Sequence, residues 1–477
     1  MVITSEEAMV EESVCLRDDA TGVLDENGRL LLSRDSKRFE VGPLLAELVP
    51  SLEILLADGA PEEVLRGMVS QNTQAVEQLH VLLRRMDDRG WLQRVLTFKG
   101  QPLLTMKPLV AKPQDRQAPD VAGVVTLSRF ALLRRVGAEL VLESPRSSAV
   151  AVVHDPRVGA FVTSLCRPVL VDQLDAEAIG LPASVLSVVA TLLGDASFLV
   201  PDLAEEEADM RLAQWSLPDL FFHSRSRQGR HANGYGATWP LRGRFAPLPV
   251  VDEQGESVIA LTRPDLAAPA AEEPAFTSVL EGRQSIRAHD DDQPITLEQL
   301  GAFLYRSAGV RHQVTAFSDG SPRPLGMARP YPTGGALYEL ELYPVVHRCA
   351  GLYPGLYHYD PLRNQLDIVT AGLNPGLESL LQQTCAKTGM ARRPQVLLTV
   401  TARFGKVMYK YEAIPYATIL KNVGVLYQTM YLVATAMGLA PCAVGGGDSD
   451  SFAALAGLDY YEETSVGEFL VGSRRQS

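Results

Sequence analysis

Residues 414–437 form a long stretch of helical periodicity in this 477-residue chain, and this stretch constrains the fold around it. Apolar side chains recur along one of its faces, at Ile419, Val423, Leu426, Met430 and Val433. Strand patterns precede and follow it, at 339–347, 355–359, 365–369, 396–401, 441–444 and 468–471. Because these strands do not alternate strictly with helices, the pattern predicts an α+β domain rather than a regular βαβ repeat.

The N-terminal part of the chain predicts a repeated plan of strands and helices. Short strands precede a helical pattern at 76–86, and a similar order recurs roughly one hundred residues later. Strands combined with three short helices are typical of winged-helix domains, so we predict two copies of such a domain. An alternative is that one of the two copies is degenerate and has a purely structural role. A Pro- and Ala-rich stretch at 263–271 indicates a linker. The predicted regions are winged-helix-like units at 1–110 and 111–205, a linker region at 206–274 and the α+β domain at 275–477.

Charge and cysteine content exclude several classes of protein. The chain carries 44 Lys and Arg against 57 Asp and Glu, a formal net charge of −13, which argues against a nucleic-acid partner. The acidic N-terminal sequence does not resemble a signal peptide, and no apolar run is long enough to span a membrane. The five cysteines are scattered and form no CxxC pair, so we expect neither a disulfide framework nor a metal site. We therefore expect a cytoplasmic protein.

Residues 220–251 depart from the overall acidity of the chain. They contain no acidic residue, but they hold five arginines with interleaved aromatic residues. One interpretation is a segment that meets an anionic or peptide ligand. The alternative is a connector whose arginines pair with acids of neighbouring domains, and the sequence leaves the choice open.

Two motifs in the α+β domain suit binding of an anionic or planar ligand. Residues 282–287 place two arginines and a serine close together, and guanidinium and hydroxyl groups are good donors to phosphate. Residues 329–338 include adjacent glycines, Gly334 and Gly335, which let the backbone approach a planar ligand closely. The alternatives are a solvated face for the first motif and an ordinary turn for the second.

Two further motifs suit acid–base chemistry and binding. Lys410 and Tyr411 are adjacent, and a lysine beside a phenol forms an acid–base pair when burial or a neighbouring charge adjusts either group. Residues 444–450 contain three glycines that lead into Asp and Ser, which suits a ligand edge or an ordinary turn into a helix. Each of these motifs has a purely structural alternative, but their order along the chain is informative.

The motifs together resemble the FMN-dependent nitroreductase fold. Arg283, Ser285 and Arg287 are similar to its opening Arg-x-Ser-x-Arg motif. Residues 332–343, the GLYHYDP segment at 355–361, the stretch at 410–424 and the glycines after Cys442 resemble the SagB-type azoline dehydrogenases. The N-terminal units and the segment at 213–227 are similar to the cyanobactin-type azoline oxidases.

The resemblance implies an FMN-dependent oxidation of thiazolines or oxazolines to azoles in a ribosomally made peptide. It implies a homodimer with flavin at the subunit interface, leader recognition by the N-terminal units and the cyclodehydratase of the pathway as a partner. The catalytic pair that it implies is Lys410 and Tyr411. The cofactor-binding residues that it implies are Arg283, Gln284, Ser285, Arg287, Pro332, Thr333, Gly334, Gly335, Gly445, Gly446 and Arg474.

Two other functions remain to be weighed. An NAD(P)H-dependent nitro or quinone reductase would use the same FMN motifs. Simple nitroreductases commonly carry Asn and Gln where this chain has Ala336 and Tyr338, which weakens that alternative. A winged-helix DNA-binding regulator with a flavin sensor domain is opposed by the net charge of −13.

Overall fold

The computed structural model describes residues 10–34, 37–109, 121–201, 203–229, 231, 234–249, 255, 257–316 and 322–475. The chain divides into two compact units, Met1–Ala232 and Asn233–Ser477. Arg230, one of the five arginines in the acid-free stretch, lies outside the described residues. None of the described helices is both long enough and apolar enough to cross a membrane.

The N-terminal unit mixes short strands with short helices. Its strands are β1 Val10–Leu16, β2 Thr21–Leu24, β3 Leu30–Arg34, β4 Lys37–Val41, β5 Leu92–Phe98, β6 Gln101–Pro108, β7 Val124–Leu127, β8 Leu132–Val136, β9 Glu139–Glu143, β10 Ala149–Val153, β11 Val169–Leu170 and β12 Leu199–Val200. Its helices are α1 Val49–Leu56, α2 Glu62–Met68, α3 Thr73–Asp88, α4 Pro156–Ser164, α5 Ala176–Ile179, α6 Ala183–Asp195, α7 Leu203–Ala208, α8 Met210–Ala213 and α9 Leu217–Arg225.

One sheet of this unit contains strands from both of the predicted regions, 1–110 and 111–205. Its strand order is β1-β5-β6-β10-β9-β8, and β6 from the first region pairs antiparallel with β10 from the second. Each region also supplies three helices, α1–α3 and α4–α6. A shared sheet therefore links the two regions that were predicted as separate units.

Local sequence signals set the helix boundaries in this unit. The Asn72 side chain caps α3 by accepting from the backbone of Gln74 and Ala75, and Asp155 caps α4 in the same way with Pro156 in the first turn. The chain leaves α3 through Gly90, whose φ of 70° suits glycine.

The C-terminal unit contains a large antiparallel sheet and seven helices among its described residues. Its strands are β13 Val258–Ala260, β14 His312–Ala316, β15 Pro322–Ala328, β16 Leu340–Val346, β17 Gly355–Asp360, β18 Gln365–Ala371, β19 Val396–Arg403, β20 Leu439–Val444 and β21 Glu463–Ser473. Its helices are α10 Ala267–Glu272, α11 Phe276–Gly282, α12 Leu297–Ala308, α13 Pro375–Thr388, α14 Phe404–Met408, α15 Pro415–Ala436 and α16 Ser449–Ala456.

Helices cover both faces of the seven-stranded sheet, whose order is β13-β18-β17-β16-β19-β21-β20. Alternate residues of β19 point to opposite faces, as the period of a strand requires. Leu398 packs with α12 and α15 in one core, and Leu397 packs with α13 and α16 in the other. The predicted α+β class is confirmed for this unit, and α15 matches the helical pattern at 414–437.

The predicted linker region at 206–274 contains more regular structure than its composition indicated. Helices α8 and α9 lie at its start, α10 lies within the Pro- and Ala-rich stretch, and β13 pairs with β18 at the edge of the large sheet. The division between the two compact units falls inside this region, after residue 232. Edge pairing explains why a short strand with little periodicity is ordered there.

Candidate functional site

A tight turn at Gly334–Ala336 leads the chain into β16. Its backbone lies in the left-handed region at Gly335, with φ of 70°, and also at Ala336 and Tyr338. Glycine adopts this conformation without strain, whereas the two other residues are held in it by their surroundings. The second predicted binding motif is therefore a strained turn, and its backbone favours glycine at Gly335.

A buried polar relay fixes this turn to helix α15. The Gly334 N–H donates to Asn422 Oδ1 at 3.2 Å, and Asn422 Nδ2 donates to Glu339 Oε1 at 2.7 Å. Glu339 is completely buried, and burial raises its pKa above the usual range, although the Asn422 hydrogen bond opposes the rise. The sequence analysis missed Glu339 and Asn422, whose only signal was their position beside matched motifs.

The predicted acid–base pair lies directly against this turn. Lys410 and Tyr411 follow α14 and precede α15, and both are partly buried. A Cβ atom placed on Gly335 would lie 2.5 Å from Tyr411 Oη and 2.7 Å from Lys410 Nζ. The absence of a side chain at Gly335 thus makes room for both functional groups. The structure brings together the second and third motifs, which are about 75 residues apart in the sequence.

Part of the acid-free stretch packs against the same pair. Gly236 and Glu412 exchange two backbone hydrogen bonds, of 3.2 and 2.9 Å, and the Trp239 N–H donates to the Lys410 carbonyl at 3.0 Å. The Lys410 ammonium lies 5.6 Å from the centre of the Trp239 indole ring and 5.1 Å from the centre of the Tyr411 ring. Arg242 also stacks on Trp239, at 4.3 Å.

The predicted phosphate motif lies against strand β20, where the Ile286 N–H donates to the Pro441 carbonyl at 2.8 Å. Arg283 ends α11 and lies 5.1 Å from the Tyr431 ring, and Ser285 Oγ is 2.7 Å from Tyr431 Oη. The Ala443 N–H donates to the same Tyr431 oxygen at 2.8 Å, so the phenol ties this motif to β20.

Exposed side chains surround this motif. Gln284, Ser285 and Arg287 are exposed, and Arg474 is exposed beside His289, with which it forms an isolated backbone bridge. Burial raises the pKa of the neighbouring Cys442 thiol, and both Arg287 and Ser285 oppose that rise. The arginines 283, 287 and 474 are thus gathered in one region with groups that can donate to an anion.

Gly445 and Gly446 line a separate cavity of about 440 Å³. Val423 and Tyr427 of α15 form another wall of this cavity. Successive residues of a helix are rotated by about 100°. The side chains of Val423 and Tyr427 therefore point about 100° and about 140° away from that of Asn422, which binds the Gly334 turn. Within one chain, the last glycine motif and the Lys410–Tyr411 pair therefore face different sides of α15.

A buried charge network lies beneath α14, and the sequence analysis did not find it. The His358 ring nitrogens lie 3.5 Å from the carboxylates of Glu341 and Asp367, and Lys406 Nζ lies 3.4 Å from Glu341. Burial alone would lower the pKa of His358, but the neighbouring carboxylates of Asp367 and Glu341 raise it to about 10. Burial would raise the pKa of Glu341, but His358 and Lys406 hold it at about 2. His358 belongs to the GLYHYDP segment, which was the available signal.

Two protein families match parts of the chain. The family described as cyanobactin oxidase ThcOx matches residues 125–232, and the nitroreductase family matches residues 280–473. The second range includes every predicted site residue except Arg474, which follows it directly.

Individual relatives agree with these matches. The Escherichia coli microcin B17-processing protein McbC is 34% identical over 146 residues, which cover 30% of this chain and 52% of McbC. The chain therefore spans about half the length of that relative. A Methanocaldococcus jannaschii protein that carries the nitroreductase name MJ1384 is 26% identical over 181 residues, covering 38% of this chain and 83% of that protein.

A solved structure of the E. coli microcin synthetase McbBCD complex, with truncated pro-MccB17 bound, includes a chain of 20% identity and TM-score 0.34. That match covers 54% of this chain and 91% of the other. The family matches confirm the resemblance inferred from the motifs. Residues 280–473 match the nitroreductase family, and the chain is similar over its two matched regions to the SagB-type and cyanobactin-type oxidases of the nitroreductase superfamily.

Proposed function

We propose that this protein is an FMN-dependent azoline oxidase, which converts thiazolines or oxazolines in a ribosomally made peptide into thiazoles or oxazoles. The observation that carries this proposal is the meeting of Lys410 and Tyr411 with the Gly335 turn. That geometry sets an acid–base pair beside a backbone without a side chain, where a planar ring can approach. The similarity to cyanobactin oxidase and to a microcin B17-processing protein supports a peptide substrate.

The residues present fit a flavin mononucleotide. The strained turn at Pro332, Thr333, Gly334 and Gly335 offers a close backbone approach for a flat ring, and we assign it to the isoalloxazine. We assign the ribityl chain and the phosphate to half-buried Arg283 and to four exposed residues, Gln284, Ser285, Arg287 and Arg474. Gly445 and Gly446 are assigned to the other side of the ring. When bound, FMN supplies an acceptor for a hydride, with dioxygen as the proposed final oxidant.

The proposed reaction removes two hydrogens from the azoline ring. One carbon beside the C=N bond loses a proton, and the neighbouring ring carbon loses a hydride, which leaves an aromatic azole. Tyr411, as the phenolate, accepts the proton, and the Lys410 ammonium stabilises the negative charge on Tyr411 before the transfer. The reverse assignment, with Lys410 as the base, is the alternative.

Mass spectrometry of an azoline peptide tests this function. The wild-type protein is expected to bind FMN and to remove about 2 Da per ring, which is two hydrogens. Lys410→Ala and Tyr411→Phe are expected to abolish azole formation while FMN stays bound. Tyr461→Phe, at a phenol that is 86% exposed, is the matched control and should keep wild-type activity.

The competing reductase function predicts a different result. A nitro or quinone reductase would oxidise NADH rapidly in the presence of a nitroarene and would leave azolines unchanged. Wild-type azole formation by both the Lys410 and Tyr411 variants would also overturn the assignment of the pair.

We further propose a homodimer with one flavin at each of two shared sites. The support is that Gly445 and the Lys410–Tyr411 pair face different sides of α15, so a second copy is needed to bring both motifs to one flavin. Mixing Lys410→Ala protein with Gly445→Val protein tests this sharing. Exchange of subunits should restore about a quarter of wild-type activity, because half of the dimers would hold one intact site. Failure to recover activity, although the subunits exchange, would refute shared sites.

We propose that the N-terminal winged-helix-like units recognise the leader of the precursor peptide, and that the pathway's cyclodehydratase is a partner. Strands β1 and β8 are the edges of the six-stranded sheet, and β2 and β4 are the edges of a three-stranded sheet. An extended peptide can add to such an edge through main-chain hydrogen bonds. A labelled cognate leader should bind the full chain, and proline substitutions that remove its backbone donors should weaken binding by about tenfold. Equal affinities would refute strand addition.

A further inference from the structure

The loop that carries Lys410 and Tyr411 takes part of its backbone hydrogen bonding from a distant segment. Helix α14 ends at Met408 and α15 begins at Pro415. Between them, the N–H groups of residues 409–411 donate back to Gly405 and Val407, and further partners come from outside the loop. Backbone groups that are withdrawn from water require partners. Gly236 and Trp239 provide three such hydrogen bonds, to Lys410 and Glu412.

Side chains reinforce this contact at both of its ends. Thr238 Oγ1 donates to Glu412 Oε2 at 3.0 Å, and the edge of the Trp239 ring meets Tyr409 with 6.2 Å between the ring centres. Trp239 itself has φ of 57°, which is uncommon for a bulky residue. The contact therefore holds its tryptophan in a conformation that an isolated segment would rarely adopt.

The Trp239 ring restricts the position of the Lys410 ammonium. A lysine side chain has several rotatable bonds and would sample many positions in an open site. Here the ammonium lies 5.6 Å from the Trp239 ring centre, within the range of a cation–π contact, and it also lies beside Gly335. The indole and the glycine turn thus limit the ammonium from two directions.

We propose that Trp239 is a positioning residue that acts through Lys410, with Gly236 and Thr238 holding the indole in place. This inference rests on the proposed azoline oxidation and assigns a role to the residues 234–239 of the acid-free stretch. The segment works as a clamp: its backbone orders the loop at 409–414, and its indole orients the ammonium toward the glycine turn.

Three variants of the full-length protein test the kinetic part of this inference. Trp239→Leu should lower kcat for azoline oxidation by about 100-fold, the loss expected for a functional group displaced by about 1 Å. KM should stay within about threefold and FMN should remain bound, because Lys410 positioning and not substrate binding is lost. Trp239→Phe, which keeps an aromatic face, should recover most of kcat. Phe245→Ala, in the same stretch at a ring that is 60% exposed, should match the wild type.

Hydrogen exchange tests the clamp independently of any activity. In Trp239→Leu and Thr238→Val, amides of the peptide spanning 409–414 should exchange at least tenfold faster than in the wild type, and Phe245→Ala should leave them unchanged. Faster exchange in a protein that does not oxidise azolines would retain the clamp and reject only the proposed function. Unchanged exchange would overturn the clamp, and an unchanged kcat in Trp239→Leu would overturn the positioning role.

Discussion

Substitution of Gly335 by alanine separates the geometry of the proposed site from the stability of the fold. The added methyl group would lie 2.5 Å from Tyr411 Oη and 2.7 Å from Lys410 Nζ, whereas ordinary contacts begin at 3.4 Å. The phenol oxygen must therefore move by about 0.9 Å, and the ammonium by about 0.7 Å. Both groups are the free ends of flexible side chains, so they can yield at little cost to folding. The displacement nevertheless reaches the range in which catalysis falls by about 100-fold.

The stability cost of this substitution comes mainly from the backbone. Gly335 has φ of 70°, where a residue with a Cβ atom loses roughly 1–2 kcal/mol. Gly389, the C-cap of α13, has φ of 71° and no atom within 4 Å of an added Cβ, so Gly389→Ala is a matched control for that cost. Both variants should unfold about 2–4 °C below the wild type per kcal/mol lost, while only Gly335→Ala should lose azoline oxidation.

Thermal unfolding and single-turnover oxidation of an azoline peptide measure the two effects separately. A Gly335→Ala protein with wild-type kcat would refute the assignment of this turn and pair to one site. A melting temperature far below that of Gly389→Ala would show that the added methyl group disrupts the core, and the kinetic loss would then carry no information about the pair.

Three further perturbations test other contacts of the C-terminal unit. The raised pKa of His358, about 10 against an ordinary 6.5, means that its charged form stabilises the fold. The contribution is complete below pH 6.5 and is lost as pH rises toward 10. The free energy of unfolding of the wild type, measured with urea, should therefore decrease over this pH range. His358→Asn should show a flatter profile and a lower free energy of unfolding at pH 6.5, because buried Glu341 loses one of its cationic partners and keeps Lys406. Arg283→Ala should weaken FMN binding by about tenfold in a fluorescence titration, through loss of one charge-assisted hydrogen bond. Asn422→Leu should release the Gly334 turn and reduce flavin retention after gel filtration, whereas the wild type keeps its flavin.

The sequence predicted the local elements of the C-terminal unit well, because their signals are local. The core stripe of α15 and the alternating patterns of β16 to β19 follow directly from the periods of helices and strands. Apart from β13, each strand of the large sheet has a pattern that was visible separately. The motifs at Arg283, Gly335 and Lys410 were equally local, and their order carried the family resemblance.

Long-range pairing could not be predicted in the same way. Nothing in the sequence near Pro108 or Ala149 indicates that β6 and β10 pair in one sheet. The contact between Trp239 and Lys410 joins residues about 170 positions apart, and the sequence left the role of the 220–251 stretch open. His358 has no visible partner in its own segment, since Glu341 and Asp367 reach it from neighbouring strands.

Helix α15 explains why the candidate site has separate parts within one chain. Its 22 residues run for about 33 Å, and it holds the glycine turn through Asn422 and the phosphate motif through Tyr431. These two residues are nine positions apart, about 14 Å along the axis and about 180° around it. A ligand that contacted both motifs would have to be elongated and to pass around the helix or across to a second copy. A flavin mononucleotide, with a flat ring at one end and a phosphate at the other, has the necessary length, and the cavity at Gly445 supplies a surface that a second copy can share. The spacing of the contacts on one helix thus supports the proposed dimer, and the subunit-mixing experiment tests whether two copies share the site.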